Sequence, residues 1–162
     1  MIGMEKKARE RLEREFLSMP LHHIDTSIIL EKPSTPNGRA CAAYLNLINQ
    51  KYRGKFSIPM LGEYMLHAIR IVDYSKRVDL FEIIHSMIQN KRIEVCGIQD
   101  SDRIATWIKE KDDRLTTTDR LILASAIGDS AQTFVTLDEK LIHNEVLEDA
   151  FRISISHPRD LI

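Results

Sequence analysis

Four acidic side chains stand where the chain changes from a strand pattern to a helix pattern. They are Asp25, Glu63, Asp119 and Asp138. In an open α/β fold such points face one another, because ligands bind in the crevice outside the carboxyl ends of the strands. Carboxylates that meet there repel one another and favour a bound cation, and oxygen ligands suit Mg²⁺ or Mn²⁺. These residues therefore predict metal-assisted hydrolysis of a phosphodiester.

Each acid also has an ordinary structural interpretation. Asp25 and Asp138 follow apolar strands, where an Asp can cap the next turn or helix. Glu63 lies on a helix away from the predicted apolar stripe of Leu61, Met65, Ile69 and Val72, where a solvated Glu is the default. Asp119 precedes an apolar helical segment, and the helix dipole favours an acid in the first turn. Taken singly, none of the four identifies a site.

The segments between the acids must position them. From Leu21 onward, short apolar runs alternate with amphipathic segments, which is typical of repeated βα units and a mostly parallel sheet. The predicted strands are Leu21 to Asp25, Lys55 to Ile58, Arg92 to Ile98, Thr133 to Leu137 and Phe151 to Ile155. The predicted helices cover residues 38–51, 59–73, 77–90, 101–112, 117–128 and 139–148. The pattern predicts one α/β domain of three layers.

A charged segment precedes the first strand. Residues 4–17 are rich in helix formers, with opposite charges four residues apart, and predict a helix. We interpret residues 1–20 as a charged helical extension and residues 21–162 as the α/β domain. The apolar stripe of Met4, Ala8, Leu12 and Phe16 is narrow. It allows docking on the domain, pairing with another chain, or exposure to solvent.

Composition limits the function classes. The chain has 162 residues, with 23 Lys and Arg against 24 Asp and Glu, so a nucleic-acid site must be a local patch. Arg39, Arg120 and Lys140 are candidates by position. Cys41 and Cys96 are too far apart for a metal knuckle and are interpreted as reduced, buried thiols. The charged start and the lack of a long apolar run predict a cytoplasmic protein without a membrane segment.

The histidines show neither catalytic nor zinc-binding spacing. All six are interpreted as structural or surface residues, because a metal ligand set needs convergent partners. His67, one turn after Glu63 on the same helix face, is the exception to check in the structure.

The segments around the acids resemble those of PIN-domain nucleases of the VapC type. They are HIDTSIIL at 23–30, SIPMLGE at 57–63, TDRLILASA at 118–126 and FVTLD at 134–138. They occur in the family's order, and the resemblance covers roughly residues 21–156. It implies a three-layer α/β/α domain whose five-stranded parallel sheet has the strand order 3-2-1-4-5.

The resemblance also implies an activity. By motif position, Asp25, Glu63, Asp119 and Asp138 would bind Mg²⁺ or Mn²⁺ and hydrolyse RNA, and Thr136 would be the hydroxyl beside the metal. Thr26 or Ser27 would support the loop of the first acid. Many similar proteins are toxins silenced by an antitoxin that covers the acidic pocket, and homodimers are common among them. The implied partners are therefore an RNA substrate, an antitoxin and a second copy of the chain.

Two other hypotheses stay open at this point. A non-catalytic RNA-binding or scaffold protein with a PIN-like fold would bind RNA irrespective of metal. A phosphotransfer enzyme or receiver domain would also cluster acids at strand ends. The segment Asp25-Thr26-Ser27 lacks the second Asp expected of a haloacid-dehalogenase-type nucleophile, so this hypothesis ranks last.

Overall fold

A parallel five-stranded sheet forms the centre of the protein. The computed structural model describes residues 2–97 and 100–162. The strands are β1 (Leu21–Ile24), β2 (Arg53–Ser57), β3 (Glu94–Cys96), β4 (Thr133–Val135) and β5 (Ser154–Ser156). Their order in the sheet is β3-β2-β1-β4-β5, and every neighbouring pair is parallel. The predicted strand order and three-layer α/β/α class are confirmed.

Helices connect the strands. They are α1 (Ile2–Ser18), α2 (Thr26–Leu30), α3 (Pro36–Asn46), α4 (Ile58–Arg70), α5 (Tyr74–Asn90), α6 (Ser101–Lys111), α7 (Thr117–Gly128) and α8 (Glu145–Phe151), and a 3-10 helix covers Pro158–Leu161. None of the helices in residues 2–97 and 100–162 is long and apolar enough to cross a bilayer.

The central strands are buried on both faces, as parallel sheets require. Every residue of β1 and every residue of β4 is buried. Neighbouring strands contribute Ile24, Phe56, Phe134 and Ile155, each at most 1% exposed. The rigid middle of the sheet therefore fixes where the loops after β1 and β4 lie.

Hydroxyl side chains define the helix starts nearest to the predicted acids. Ser57 ends β2 and caps α4 by accepting a hydrogen bond from the Met60 N–H at 3.2 Å, and Pro59 occupies the first turn. Thr116 caps α7 through the Asp119 N–H at 3.1 Å. These local signals place Glu63 in the second turn of α4 and Asp119 in the first turn of α7.

The helix predicted at 139–148 is wrong in position. Residues 139–143 form turns, and α8 begins only at Glu145, because Asn144 caps it by accepting the Leu147 N–H at 3.2 Å. As a result Phe151 ends a helix instead of starting the last strand. The short helix α2, directly after Asp25, was not predicted. The predicted end of the third strand at Ile98 lies outside the described residues.

The predicted inner face of α4 is also wrong. The buried residues are Met60, Tyr64 and Ala68, whereas Ile69 is 60% exposed and Val72 is 93% exposed. The spacing of apolar residues on α4 allows more than one inward stripe, and the packing of α4 against α2, α5 and α7 selects one. Leu61 is half-buried against the core, whereas Met65, Leu66 and Ile69 remain exposed.

Helix α1 contacts the domain near its C-terminal end. Of its predicted apolar stripe, Phe16 is 3% exposed, whereas Met4 and Leu12 are exposed. The Arg92 guanidinium lies 3.7 Å from the centre of the Phe16 ring, and its Nη2 donates to both Glu13 carboxylate oxygens at 2.7 and 2.9 Å. The helix is thus docked by one aromatic residue and one ion pair. The division at residue 20 stays a prediction.

Candidate active site

The ends of β1 and β4 bring together the first and last predicted acids. These strands are neighbours at the point where the strand order reverses, which is the usual ligand position in open α/β sheets. The Asp25 N–H donates to the Val135 carbonyl oxygen at 2.9 Å. Thr136 is fully buried, and its Oγ1 donates to Asp25 Oδ2 at 2.8 Å. The same Oγ1 accepts the Asp138 N–H at 3.0 Å.

Ser27 provides a second link between the two loops. Its Oγ donates to Asp25 Oδ2 at 2.7 Å and accepts the Leu137 N–H at 3.0 Å. Asp25 occupies the N-cap position of α2, but its side chain makes no capping hydrogen bond. Its carboxylate is instead held by two hydroxyl donors.

Glu63 is held beside Asp25 by the intervening threonine. The buried Thr26 Oγ1 donates to Glu63 Oε2 at 2.6 Å, and it lies 3.5 Å from the Met60 carbonyl oxygen. A hydroxyl donates one proton, so the shorter contact to Glu63 is the main one. The sequence motifs suggested Thr26 or Ser27 as a support for the loop of Asp25. In the structure Ser27 donates a hydrogen bond to Asp25, and Thr26 donates one to Glu63.

The protonation of Asp25 reflects this arrangement. Burial raises the pKa of the Asp25 carboxyl, the Ser27 and Thr136 hydroxyls oppose that change, and the nearby Glu63 carboxylate raises the pKa further. In the part of the chain that the structure describes, none of the four predicted acids forms an ion pair with a Lys, Arg or His side chain. Partly buried carboxylates without a cationic partner, held by hydroxyl donors, fit the all-oxygen ligand set of a hard divalent cation.

Asp119 forms a capping box. Its N–H donates to Thr116 Oγ1 at 3.1 Å, and its Oδ2 accepts the Thr116 N–H at 3.3 Å. Because α7 ends only a few residues before β4 begins, its first turn lies at the carboxyl edge of the sheet. The helix therefore places Asp119 on the same side of the domain as Asp25, and the capping interpretation is correct for its local contacts.

Asp138 also uses its carboxylate locally. Its Oδ1 accepts the Lys140 N–H at 2.9 Å, which closes the turn after β4. Among the described residues, no three of the four predicted acids have ligand atoms within 4.8 Å of one another. The structure joins Asp25, Thr136 and Asp138 through hydrogen bonds and joins Glu63 to Thr26, but it does not draw the quartet into a tight cluster.

The candidate cations near the acids have structural contacts of their own. Arg120 donates to the Leu115 carbonyl oxygen and to Thr117 Oγ1, at 3.2 Å for the latter. Arg39 donates to the Ser34 carbonyl oxygen at 2.9 Å. Lys140 is exposed. His67, which the sequence singled out, is exposed and forms no hydrogen bond or ion pair within the described chain.

Two of the histidines interpreted as structural or surface residues are buried, and their partners were not predicted from the sequence. Residues His22 and His23 of β1 are both buried: the first packs on Tyr52, and the second bonds Asp129 Oδ2 at 2.7 Å. Consecutive strand residues point to opposite faces of the sheet, which explains why adjacent histidines have different partners. Cys41 is a buried thiol as predicted, but Cys96 is only half-buried.

Comparison with known proteins supports the fold. No protein-family model matches the chain, and no curated protein matches it. Among solved structures, VapBC2 from Rickettsia felis, bound to a promoter DNA fragment, matches with a TM-score of 0.63 at 15% identity, over 85% of this chain and 98% of that one. FitAcB from Neisseria gonorrhoeae matches with a TM-score of 0.58 at 19% identity, over 85% and 97% of the two chains.

A third structure carries a functional description. VapC20 from Mycobacterium tuberculosis, described as a sarcin-ricin loop cleaving toxin, matches with a TM-score of 0.52 at 15% identity, over 80% of this chain and 95% of that one. At such identities the likeness establishes the fold. The chain has the fold of VapC-type PIN domains, as its four motifs predicted.

Proposed function

We propose that this protein is a metal-dependent endoribonuclease of the toxin type. It would hydrolyse RNA phosphodiesters with Asp25, Glu63, Asp119 and Asp138 as ligands for Mg²⁺ or Mn²⁺. The observation that supports this most directly is the pair of carboxylates at the switch point of the sheet. Asp25 and Glu63 are held by neighbouring hydroxyls and have no cationic partner among the described side chains. The fold shared with VapC20 is consistent with the same chemistry.

The proposed chemistry follows from the donor set. A divalent cation bound by these carboxylates would lower the pKa of a coordinated water and neutralise charge on the attacked phosphate. The resemblance to PIN-domain nucleases implies that the P–O3′ bond breaks, which would leave a 5′-phosphate and a 3′-hydroxyl. With water as the nucleophile, the RNA 2′-hydroxyl is not needed. No histidine is required for this reaction, and the exposed His67 has no assigned part in it.

The hydroxyl residues position the carboxylates. Ser27 and Thr136 both donate to Asp25 Oδ2, so Asp25 Oδ1 is left without a side-chain donor among the described residues. Thr26 fixes Glu63 Oε2 in the same way. Since each side chain is oriented before a cation arrives, little conformational freedom is lost on binding.

Metal removal tests the proposed activity. Incubation of the purified protein with a labelled mixed-sequence RNA should yield cleavage in Mg²⁺ or Mn²⁺ and none in excess chelator. Readdition of the metal after chelation should restore cleavage, which separates metal loss from denaturation. Cleavage that continues in chelator would contradict the proposal.

A non-catalytic RNA-binding protein is the alternative. The local roles of Asp119 in a capping box and of Asp138 in a turn support it, because both acids have structural reasons to be present. Such a protein would bind RNA equally well with and without chelator and would cleave none. The cleavage assay, run beside a binding measurement, distinguishes the two functions.

An antitoxin is the proposed regulatory partner. Helix α4, which carries Glu63, the link after it and the first residue of α5 expose several apolar side chains. They are Met65, Leu66, Ile69, Val72 and Tyr74, exposed by 48%, 56%, 60%, 93% and 75%. Apolar patches of this kind mark interaction sites. One matched structure is described as a member of the VapBC family of toxin-antitoxin systems, and a partner on this face would lie beside Glu63.

Introduction of negative charge on this face tests the partner. The double variant Leu66→Glu, Ile69→Glu should fold and cleave RNA, but a co-expressed antitoxin that binds this face should no longer suppress its toxicity. Buried glutamates in the interface would lack partners, which explains the loss. Val146→Glu, on the exposed side of α8, should still be suppressed.

The oligomeric state shows whether an antitoxin or a second copy of the chain occupies this face. Light scattering that shows a dimer for the wild type and a monomer for the double variant would identify the α4 face as a homodimer interface. That result would contradict the antitoxin assignment of the face.

A further inference from the structure

A second group of metal-ligating side chains shares no residue with the acidic site. It consists of His23 on β1, Cys96 on β3 and Asp129 at the end of α7. One ligand atom from each lies within 4.8 Å of the other two, and in the described parts of the chain this is the only such group. Three separate parts of the fold supply the three ligands, which are 33 or more residues apart in sequence. Their convergence is therefore a product of the fold and not of a local motif.

The register of the sheet explains the convergence. His23 is paired with Lys55, and Lys55 with Glu94, so these side chains stand in one row on one face. Cys96 lies two residues beyond Glu94 on the same strand and therefore points to the same face. Helix α7 packs over this row and ends where Asp129 reaches His23 Nε2, at 2.7 Å.

The position is partly open to solvent. A cavity of about 190 Å³ is lined by Cys96, Gly97, Ser125 and Asp129, together with Lys55. His23 is 2% exposed and forms the closed side of the group, whereas Cys96 is half-buried at the open side. Three protein ligands and a cavity for water or another ligand are the composition of an open zinc site.

We propose that His23, Cys96 and Asp129 form a binding site for Zn²⁺ under the C-terminal end of α7. The mixture of imidazole, thiolate and carboxylate favours zinc over Mg²⁺, which prefers oxygen ligands alone. Tetrahedral coordination places ligand atoms about 3.5 Å apart, given the usual bond lengths to zinc. His23 Nε2 and Asp129 Oδ2 lie 2.7 Å apart, and the ligand atoms of the three residues lie within 4.8 Å of one another, so the zinc spacing falls between these two values.

Zinc binding would release one proton, from the Cys96 thiol. Cys96 is a thiol in this structure, since its Sγ donates to the Gly97 carbonyl oxygen at 3.2 Å, and on metal binding it would release its proton to solvent. His23 Nε2 donates to Asp129 in this structure, so to bind the metal a neutral ring would move that proton to Nδ1 and free the Nε2 lone pair. Asp129 is already the anion: hydrogen bonds from His23 and Lys55 lower its pKa.

Lys55 opposes metal binding and needs another partner. Its Nζ lies 3.1 Å from Asp129 Oδ2 in an ion pair. Glu94 Oε2 lies 3.7 Å from the same Nζ, so the ammonium group keeps a carboxylate when Asp129 turns to the metal. Without zinc, an ion-pair network of His23, Lys55, Glu94 and Asp129 holds α7 to the sheet. That network is the competing explanation for why these side chains lie together.

Cobalt spectroscopy tests the site, because Co²⁺ replaces Zn²⁺ and its thiolate complexes absorb in the near ultraviolet. Untagged, chelator-treated protein should bind one Co²⁺ with a thiolate-to-cobalt charge-transfer band, and Zn²⁺ should displace it. Cys96→Ser should remove the band and weaken zinc binding at least about tenfold, the lower limit for loss of even an outer-shell partner of a metal. Zinc should also raise the Tm of the wild type but not of this variant.

Two controls separate this site from other metal sites. Cys41→Ala should keep the band, because Cys41 lies in the core and far from the group. Asp25→Asn should also keep it, since the zinc site shares no residue with the proposed nuclease site and does not depend on that proposed function. A wild type without the band, or a band that survives in Cys96→Ser, would overturn the proposal and leave the ion-pair network as the explanation.

Discussion

Replacement of Asp25 by Asn is expected to lower RNA cleavage by at least about a hundredfold, the upper limit for loss of an outer-shell partner of a metal. The amide keeps one oxygen that can accept the hydrogen bonds from Ser27 and Thr136. It removes the negative charge that would attract the cation. The effect should therefore fall on metal binding and turnover, with the positions of both loops unchanged.

The same variant should be as stable as the wild type or more stable. Burial and the neighbouring Glu63 raise the pKa of Asp25. A group whose pKa is higher in the folded state destabilises the fold once pH rises through its unfolded value, so the ionised Asp25 opposes folding at neutral pH. Asn removes that cost. Stability lost to a functional charge is a known trade-off at active sites.

Cleavage and thermal unfolding, measured on the same preparations, test both expectations. Asp149→Asn is a matched control, because Asp149 is exposed on α8. It should leave cleavage and Tm unchanged. Mg²⁺ should raise the Tm of the wild type more than that of Asp25→Asn. If Asp25→Asn cleaved RNA at the wild-type rate, Asp25 would not be part of the nuclease site.

Acidification from neutral pH to about pH 4 is expected to cost the protein about 3 kcal/mol of unfolding free energy through His22 alone. The His22 ring is 2% exposed, lies 4.1 Å from the Tyr52 ring centre, and its Nδ1 lies 2.9 Å from Tyr44 Oη. Burial, with a smaller effect from Lys51, lowers the pKa of His22 from 6.5 to about 4.

Proton uptake by the unfolded chain makes the free energy of unfolding fall on acidification. Above pH 6.5 His22 is neutral in both states, so its contribution to stability is complete. Between pH 6.5 and about 4 the unfolded chain takes up a proton that the folded protein does not, and stability falls. Burial also lowers the pKa of His157, which adds a loss of the same sign.

Urea denaturation at pH 7 and pH 5 measures this dependence. His22→Asn keeps a polar atom for Tyr44 but cannot titrate, so it should be less stable at pH 7 and lose less stability on acidification than the wild type. His85→Asn, on the exposed side of α5, should follow the wild type at both pH values. An unchanged pH dependence in His22→Asn would contradict the assignment.

Local signals in the sequence were sufficient for most of the fold. The alternation of apolar runs with amphipathic segments predicted all five strands, and hydroxyl caps such as Ser57 and Thr116 explain why α4 and α7 begin where they do. Predictions failed where two local signals competed. At 139–148 the helical composition extended upstream of a stronger N-cap, Asn144, which starts the helix later.

Long-range contacts were beyond the reach of those signals. The inner stripe of α4 depends on which helices pack against it, and Met60, Tyr64 and Ala68 were selected over an equally regular apolar stripe. The hydroxyl partners of the acids also depend on contacts between residues far apart in the sequence. Thr136 reaches Asp25 across 111 positions, and Thr26 reaches Glu63 across 37.

The sequence by itself determined the class of fold, the strand order through its motifs, and the placement of four acids near strand ends and helix starts. The fold class and the placement of the acids are encoded in residue periodicity and capping within a few positions of the chain, whereas the strand order was implied by the resemblance of the motifs to PIN-domain nucleases. Only the tertiary structure decided which hydroxyl orients which carboxylate, and that His23, Cys96 and Asp129 meet under α7. Such contacts depend on sheet register and on the packing of helices over it, which no short sequence window contains.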